Sequence, residues 1–221
     1  IKHNGPVYDM SKLNSILGKN FFKSKISFRK SPSLEAQIAS ISDDIAYNNH
    51  DLEDGLRAGL FTIKEISSIP YLNKLINKHL KNIKNFRKEI LINQIVRDLI
   101  NLMVLDVLKT TKKNLVINKP KTILDIYNHG SLIVDFSYKM KKIDINIKEF
   151  LKCKMYNNKA VLVNTNKGKK IIEILFKNLL KNPKRFINSY LFKGESKERV
   201  IADFIAGMTD RFAINIYKKI K

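Results

Sequence analysis

One cysteine, Cys153, is all the thiol chemistry in 221 residues. A single thiol cannot close an internal disulfide, and a chain without cross-links suits a reducing compartment. Cys153 sits in EFLKCKMY and reads as a small core filler. Long apolar runs are missing as well: no stretch of about 18 such residues occurs, which argues against a helical membrane span. The opening IKHNGPVYDM lacks the charged-then-apolar layout of a secretory leader. A cytoplasmic location is therefore expected. Strand signals are scarce too, since Val-rich pieces such as residues 160–163 lie inside helical periodicity, and no segment repeats at a fixed period. The last shortage is of acid: 20 Asp and Glu stand against 42 Lys and Arg, giving a net charge of +22 and a pI of about 9.9.

Such a balance attracts polyanions, whether nucleotides, nucleic acid or an acidic membrane surface. The lysines are scattered, however, and the densest stretches, KKNLVINKPK, KMKKIDINIK and KGKKIIEILFKNLLKNPKR, alternate with apolar residues at helical spacing. Solvated helix faces are the simpler account, and a surface for single-stranded nucleic acid is the other. A hydrophobic fraction of 44% with 12 Phe marks a globular protein, long enough for one good core or two closely packed lobes.

Helical periodicity predicts an all-α fold. Residues 1–32 read as a helix end, a turn at His3-Asn4-Gly5-Pro6 and an arm whose residues 18–32 are loop. A helix over residues 33–54 follows, with Ser33 as cap, Gly55 as terminator and Leu34, Ile38, Ile41, Ile45 and Leu52 as its apolar stripe. Short helices are expected at 62–66 and, opened by Pro70, at 70–80. A long amphipathic helix at 87–108 has apolar positions 91, 95, 99, 102 and 105–108, before a break at 118–120. A second lobe starts at 122–127, with a turn at 128–131 and Ser131 as a cap. Short helices then close at 137–141 and span 147–156, a long one covers 158–181 up to Asn182-Pro183, and a last one covers 196–217. The expected domains are residues 1–115 and 116–221.

The helix from Ser33 carries the chemistry. Asp43, Tyr47 and Asp51 are four residues apart in turn. At about 100° per residue each step of four drifts only about 40°, so the three side chains share one side. Spacing alone leaves two readings open, a solvated polar face or a site.

The string EAQIASISDDIAYNNHDLEDGLRAGL resembles the helix bearing the fourth metal ligand in bacterial deoxyguanosine triphosphate triphosphohydrolases of the HD-domain phosphohydrolase superfamily. Their pattern runs Glu-Ala-Gln, then Asp-x-Ile-Ala-Tyr-x-x-His-Asp-Leu-x-Asp-Gly. Two later strings resemble the same family in the same order: DFS with KEFLKCKMYNNKAV, and RVIADFIAGMTDRFA, in which Phe204 and Phe212 replace the usual tyrosines. Lys2-His3-Asn4-Gly5-Pro6 is similar to a string that follows the family's first three ligands.

The resemblance implies part of an HD-type core followed by a helical associated domain. It implies one divalent metal of the Mg, Mn or Fe type, held by a His, a His-Asp pair and a final Asp that corresponds to Asp43. Such an ion would polarise the α-phosphate and help supply a hydroxide-like nucleophile. Asp44 points about 100° away from Asp43 and is the poorer candidate. Tyr47 and Asp51 correspond to positions on the deoxyribose side of the substrate, where a carboxylate accepts from the 3′-hydroxyl and a ring under C2′ excludes a ribose 2′-hydroxyl. Arg57 reaches a phosphate or ties the helix end. His50-Asp51 imitates the superfamily dipeptide but lacks its context, the family's dipeptide lying upstream of a Leu-Gly-His-Pro-Pro-Phe-Gly-His string.

His3, His79 and His129 read as packing or turn residues, Arg87 and Arg97 as solvated, and Asp210 with Arg211 as an interhelical pair. The activity implied is dNTP plus water giving deoxynucleoside and tripolyphosphate, by a homo-oligomer. The chain is expected to enter the fold in mid-domain and to be incomplete for catalysis alone. Its catalytic residues are not assigned. A basic module that binds nucleotide or single-stranded nucleic acid is the other function class.

Overall fold

The computed structural model describes residues 9, 11, 29–81, 87–183, 186–187 and 196–220. His3, the turn at 3–6 and most of the expected loop at 18–32 lie outside them. The described elements are helical, as expected. They are α1 (Leu34–Arg57), α2 (Ile63–Ile66), α3 (Asn73–Leu80), α4 (Lys88–Asn118), α5 (Ile123–Asn128) and α6 (Tyr138–Leu151), then a π-helical turn (Lys152–Tyr156), α7 (Lys159–Lys181), α8 (Lys197–Ala206) and α9 (Asp210–Ile220). By contacts the chain divides into two compact units, 1–155 and 156–221. In the first, α1 packs on α4 and α6, α3 on α4, and α2 on α3; in the second, α7 packs on α8 and α9. The second unit's core is Leu179, Ile187, Val200 and Ile201.

Ser33 caps α1 by accepting a hydrogen bond from the Ala36 amide at 3.3 Å. The helix does not stop at Gly55, which was the expected terminator. It runs on to Arg57, and Gly59 takes the left-handed conformation beyond the end, with φ +70°. Gly55 serves packing instead: a Cβ there would lie 2.3 Å from the ring of Phe61, itself buried edge-on against Phe150 at 4.9 Å.

The buried face of α1 also differs from the predicted stripe. Ile45 and Leu52 are buried, but Ile38 is 51% exposed, and Gln37, Asn48 and Asn49 lie inside. Gln37 Oε1 accepts from the Ile133 and Val134 amides at 2.8 and 3.0 Å, while its Nε2 donates to the Pro32 carbonyl at 2.9 Å. Asn48 Nδ2 donates to Asp144 Oδ1 at 2.8 Å, and Lys148 pairs with Asp144 at 2.8 Å. These polar contacts fasten α1 to the segment before α6 and to α6 itself.

Helix α4 continues ten residues past the expected end and stops where the break was predicted, at Lys119 with φ +41°. Its buried positions are Leu91, Ile92, Ile95, Val96, Leu99, Met103 and Val107. Leu102, Leu105 and Leu108 of the predicted stripe are exposed. From Ile100 to Leu108 the helix is apolar nearly all round, so periodicity alone does not choose a face; packing against α1 chooses it.

Helix α6 is one helix rather than two pieces, because no Gly or Pro interrupts residues 138–151. Ser137, not Ser131, is its cap, accepting from the Met140 amide at 3.2 Å. The Ser137 amide and hydroxyl in turn donate to Asp106 of α4, at 2.8 and 2.7 Å. The expected single last helix is two: α8 ends at Gly207, and Thr209 caps α9 by accepting from the Phe212 amide at 3.3 Å.

Thr62 opens α2 with a capping box closed by Glu65. Lys154 donates to the same carboxylate at 2.8 Å. That bond, followed by the one from the Thr62 amide, lowers the Glu65 pKa from 4.5 to about 2. A depressed carboxylate pKa stabilises the fold above the unfolded value and stops doing so as pH falls toward the folded one. Wild type should therefore unfold at higher urea than Glu65→Gln at pH 6, with the gap closing between pH 4.5 and pH 2. A gap that is constant across that range would show that the carboxylate's charge is not what matters.

Candidate functional site

Helix α1 turns Asp43, Tyr47 and Asp51 roughly 160–240° around its axis from Ile45, on the face opposite the core. Asp43 is exposed, Tyr47 is 59% exposed and Asp51 is half-buried. Among the described residues no hydrogen bond or ion pair holds Asp43. Asp44 is different: it faces α6, with Lys148 Nζ 3.6 Å from its carboxylate. The two adjacent carboxylates are thus in distinct settings, one engaged with a neighbouring helix and one directed to solvent.

Arg57 lies at the carboxyl end of the same helix. Its Nε donates to Glu53 Oε1 at 2.9 Å and its terminal nitrogen to Asn93 Oδ1 of α4 at 2.6 Å. Of the two readings open for this residue, the contacts are those of a tie between helix ends. His50 is exposed, with Nδ1 3.6 Å from Glu53 Oε2. His79 is buried and meets Asp98 at 3.0 Å, and His129 bonds Ser131 beside it. Arg87 and Arg97 are exposed. The expected interhelical pair at Asp210 and Arg211 is absent among the described residues; both are exposed, and the ion pair in that region is Arg199 with Asp203 inside α8, at 2.8 Å.

Among the described residues no group of three or more His, Cys, Asp or Glu could hold a metal ion. A lone carboxylate offers an ion one or two oxygens, and transition-metal sites need three or four ligands. The residues present therefore do not fit a complete metal centre. A cavity of about 450 Å³ beside α1 lies on the Asp44 side, lined in part by Gln37, Ser40, Asp44 and Lys141. It does not include Asp43, Tyr47 or Asp51.

Sequence reasoning missed Gln37 and Asn48 as buried fasteners, along with the Asp106 to Ser137 link. The spacing 37, 41, 45, 48/49 and 52 does follow a helical period, but three of these residues, Gln37, Asn48 and Asn49, are amides and are invisible to an apolar search.

Residues 134–219 match the phosphohydrolase-associated domain family. The whole chain is 51% identical, over 220 residues, to a deoxyguanosinetriphosphate triphosphohydrolase-like protein of Pelagibacter ubique. It is 36% and 37% identical, over 227 residues each, to proteins of the same description from Rickettsia rickettsii and Rickettsia typhi. These likenesses, together with the matched associated domain, support a dGTPase-like protein of the HD superfamily. It spans 59% of the length of the Pelagibacter relative and 58% of the two rickettsial ones. HD-superfamily phosphohydrolases generally use divalent metals. No helix among the described residues is long and apolar enough to cross a membrane.

Proposed function

We propose that this chain forms part of a divalent-metal-dependent dNTP triphosphohydrolase, which converts dNTP and water to deoxynucleoside and tripolyphosphate. The observation that carries the reading is the outer face of α1: an untethered carboxylate at Asp43, an exposed phenol at Tyr47 and a second carboxylate at Asp51, one helical turn apart. In this reading Asp43 is one metal ligand, with Mg, Mn or Fe as the class of ion, and its companions come from outside the described residues. Tyr47 and Asp51 contact the sugar. Arg57, already committed to Glu53 and Asn93, stays a candidate for phosphate from that anchored position. Residues 1–115 would belong to the phosphohydrolase core and residues 116–221 to the helical associated domain. The assembly would be a cytoplasmic homo-oligomer.

The test is tripolyphosphate release from dGTP with Mn²⁺. The chain on its own should show none above buffer, whereas a fusion to the part of the Pelagibacter relative that it does not span should turn over. Robust release by the chain alone would overturn the ligand assignment. The net charge of +22 favours a second reading, a basic module that holds nucleotide or single-stranded nucleic acid without catalysis. Oligonucleotide affinity that falls with salt and survives both Asp43→Ala and chelation would support it.

A further inference from the structure

A groove of about 810 Å³ in the first unit is bounded by α3, α4 and α6, and none of Asp43, Tyr47 and Asp51 lines it. Its floor is aliphatic, made by Leu75 of α3, Leu102 and Leu105 of α4, and Met140 and Ile143 of α6. Met140 and Ile143 are buried, but Leu102 and Leu105 remain 39% and 56% exposed, so among the described residues apolar surface is left open inside a concavity. Tyr71 lines the groove with its ring half exposed, on a backbone at φ +70° that a non-glycine residue seldom adopts. Lys139 Nζ lies 5.9 Å from that ring's centroid, and Lys74 is three residues along the chain from Tyr71.

The other charges in the lining are committed. Lys78 pairs with Asp98 at 3.6 Å, and Asp98 also meets the buried His79. Asp106 accepts from the Ser137 amide and hydroxyl. Lys74 and Lys139 have no carboxylate partner among the described residues.

We propose that this groove binds an amphiphilic organic anion, with a compact phosphate or carboxylate head held by Lys74 and Lys139 beside Tyr71 and an alkyl body lying on the leucines. The volume is in the usual range for small-molecule sites, roughly 300–1,000 Å³. Charge complementarity selects an anion, because the two uncommitted ionic groups of the lining are both cations. The aliphatic floor selects an alkyl body over a nucleobase. Burying a base leaves its edge donors and acceptors needing partners, and among the lining amides and hydroxyls only Asn101 and the Tyr71 phenol offer any. A second copy of this +22 chain would meet the lysines with like charge.

The test is calorimetric titration of the whole chain with dodecyl phosphate and decyl phosphate below their micelle concentrations. Dodecyltrimethylammonium is the charge-reversed control, and dAMP and inorganic tripolyphosphate are competitors. One dodecyl phosphate should bind per chain. Loss of two methylenes should weaken binding about tenfold, since each buried CH₂ contributes roughly three- to fourfold. Lys74→Glu with Lys139→Glu should weaken it by at least about tenfold, two ionic contacts being reversed. Both lysines are exposed, so the fold should survive, which circular dichroism checks. Leu105→Asn, with the lysines intact, should also weaken binding. Equal binding of the cationic amphiphile, undiminished binding by the double variant, or absence of saturable binding would each overturn the proposal. Displacement by dAMP would reassign the groove to nucleotides, and displacement by tripolyphosphate would remove the need for an alkyl body; either result also overturns it.

Discussion

Asp43→Ala, made in the fusion that supplies the remainder of the family's length, is expected to abolish metal-dependent dGTP hydrolysis, and Asp44→Ala to leave it nearly intact. The two residues are neighbours with the same side chain, so the contrast isolates direction from chemistry. Asp44 faces Lys148 at 3.6 Å across an exposed pair, and losing such a contact costs at most about 1 kcal/mol of stability. Asp43 has no such partner among the described residues, and its removal would subtract an oxygen donor from the proposed metal. Substituting residues that merely orient metal ligands commonly costs about 10–100-fold in metal affinity or activity. Removing a ligand should cost at least the upper end of that range, some 3 kcal/mol or more of transition-state stabilisation. Activity and bound metal should fall together, with metal content measured on the purified protein. Equal losses at Asp43 and Asp44, or a loss at Asp44 alone, would transfer the ligand role. Tyr47→Ala supplies a readout that a purely structural role would not move. If the ring lies under the sugar, the variant should gain ground on GTP relative to dGTP.

Much of the fold was legible because local chemistry and tertiary packing agree. Ser33, Thr62, Thr122 and Asn158 each precede a helix and each caps it through the side-chain oxygen. Asn182-Pro183 and the left-handed Lys119 stop helices where turn chemistry predicts. The failures have a common source, in that several sequence signals fit two structures. Gly55 looked like a terminator, yet a glycine is equally what a helix needs where an aromatic ring approaches its backbone. The run from Ile100 to Leu108 offers apolar residues in every direction, so the stripe could be drawn along Leu102 and Leu105 while packing used Met103 and Val107. The Gly207–Thr209 interruption carried its own signal, a glycine followed two residues later by a capping threonine, but amphipathic periodicity on both sides masked it. Of the candidate site, the common direction of Asp43, Tyr47 and Asp51 followed from helix geometry, since three residues on one helix need no tertiary information. The ties of Arg57 to Asn93 and of Asp44 to Lys148 join separate helices, which spacing within one helix cannot reveal.

Gln37→Leu should destabilise the first unit far more than Ile38→Ser, reversing the order that hydrophobicity along α1 would give. Ile38 was assigned to the apolar stripe but is 51% exposed, and exposed substitutions away from special features usually change stability by about 0.5 kcal/mol or less. Gln37 is 2% exposed and makes three hydrogen bonds, from the Ile133 and Val134 amides to its oxygen and from its nitrogen to the Pro32 carbonyl. Leucine is of similar size and fills the space, so the loss is not a cavity effect. It is the stranding of two amides and a carbonyl where Ile133 and Val134 are 0% and 2% exposed. Each stranded group costs about 1–3 kcal/mol, and partial relaxation of the loop toward water brings the sum to about 3–5 kcal/mol. That is a large share of a typical domain stability of about 5–15 kcal/mol. Gln37→Glu separates the contributions: its carboxylate still accepts from both amides but opposes the Pro32 carbonyl and carries a buried charge, so its deficit should shrink as pH falls and the carboxyl becomes a donor. Urea unfolding of the three variants at pH 5 and pH 7 reads all of this. If Ile38→Ser proves the more damaging, the buried face of α1 is the one that apolar periodicity drew. Asp43, Tyr47 and Asp51 stay opposite the core in either case, roughly 160–240° around the helix from Ile45, so the comparison tests what fastens α1 and leaves the direction of the proposed site unchanged.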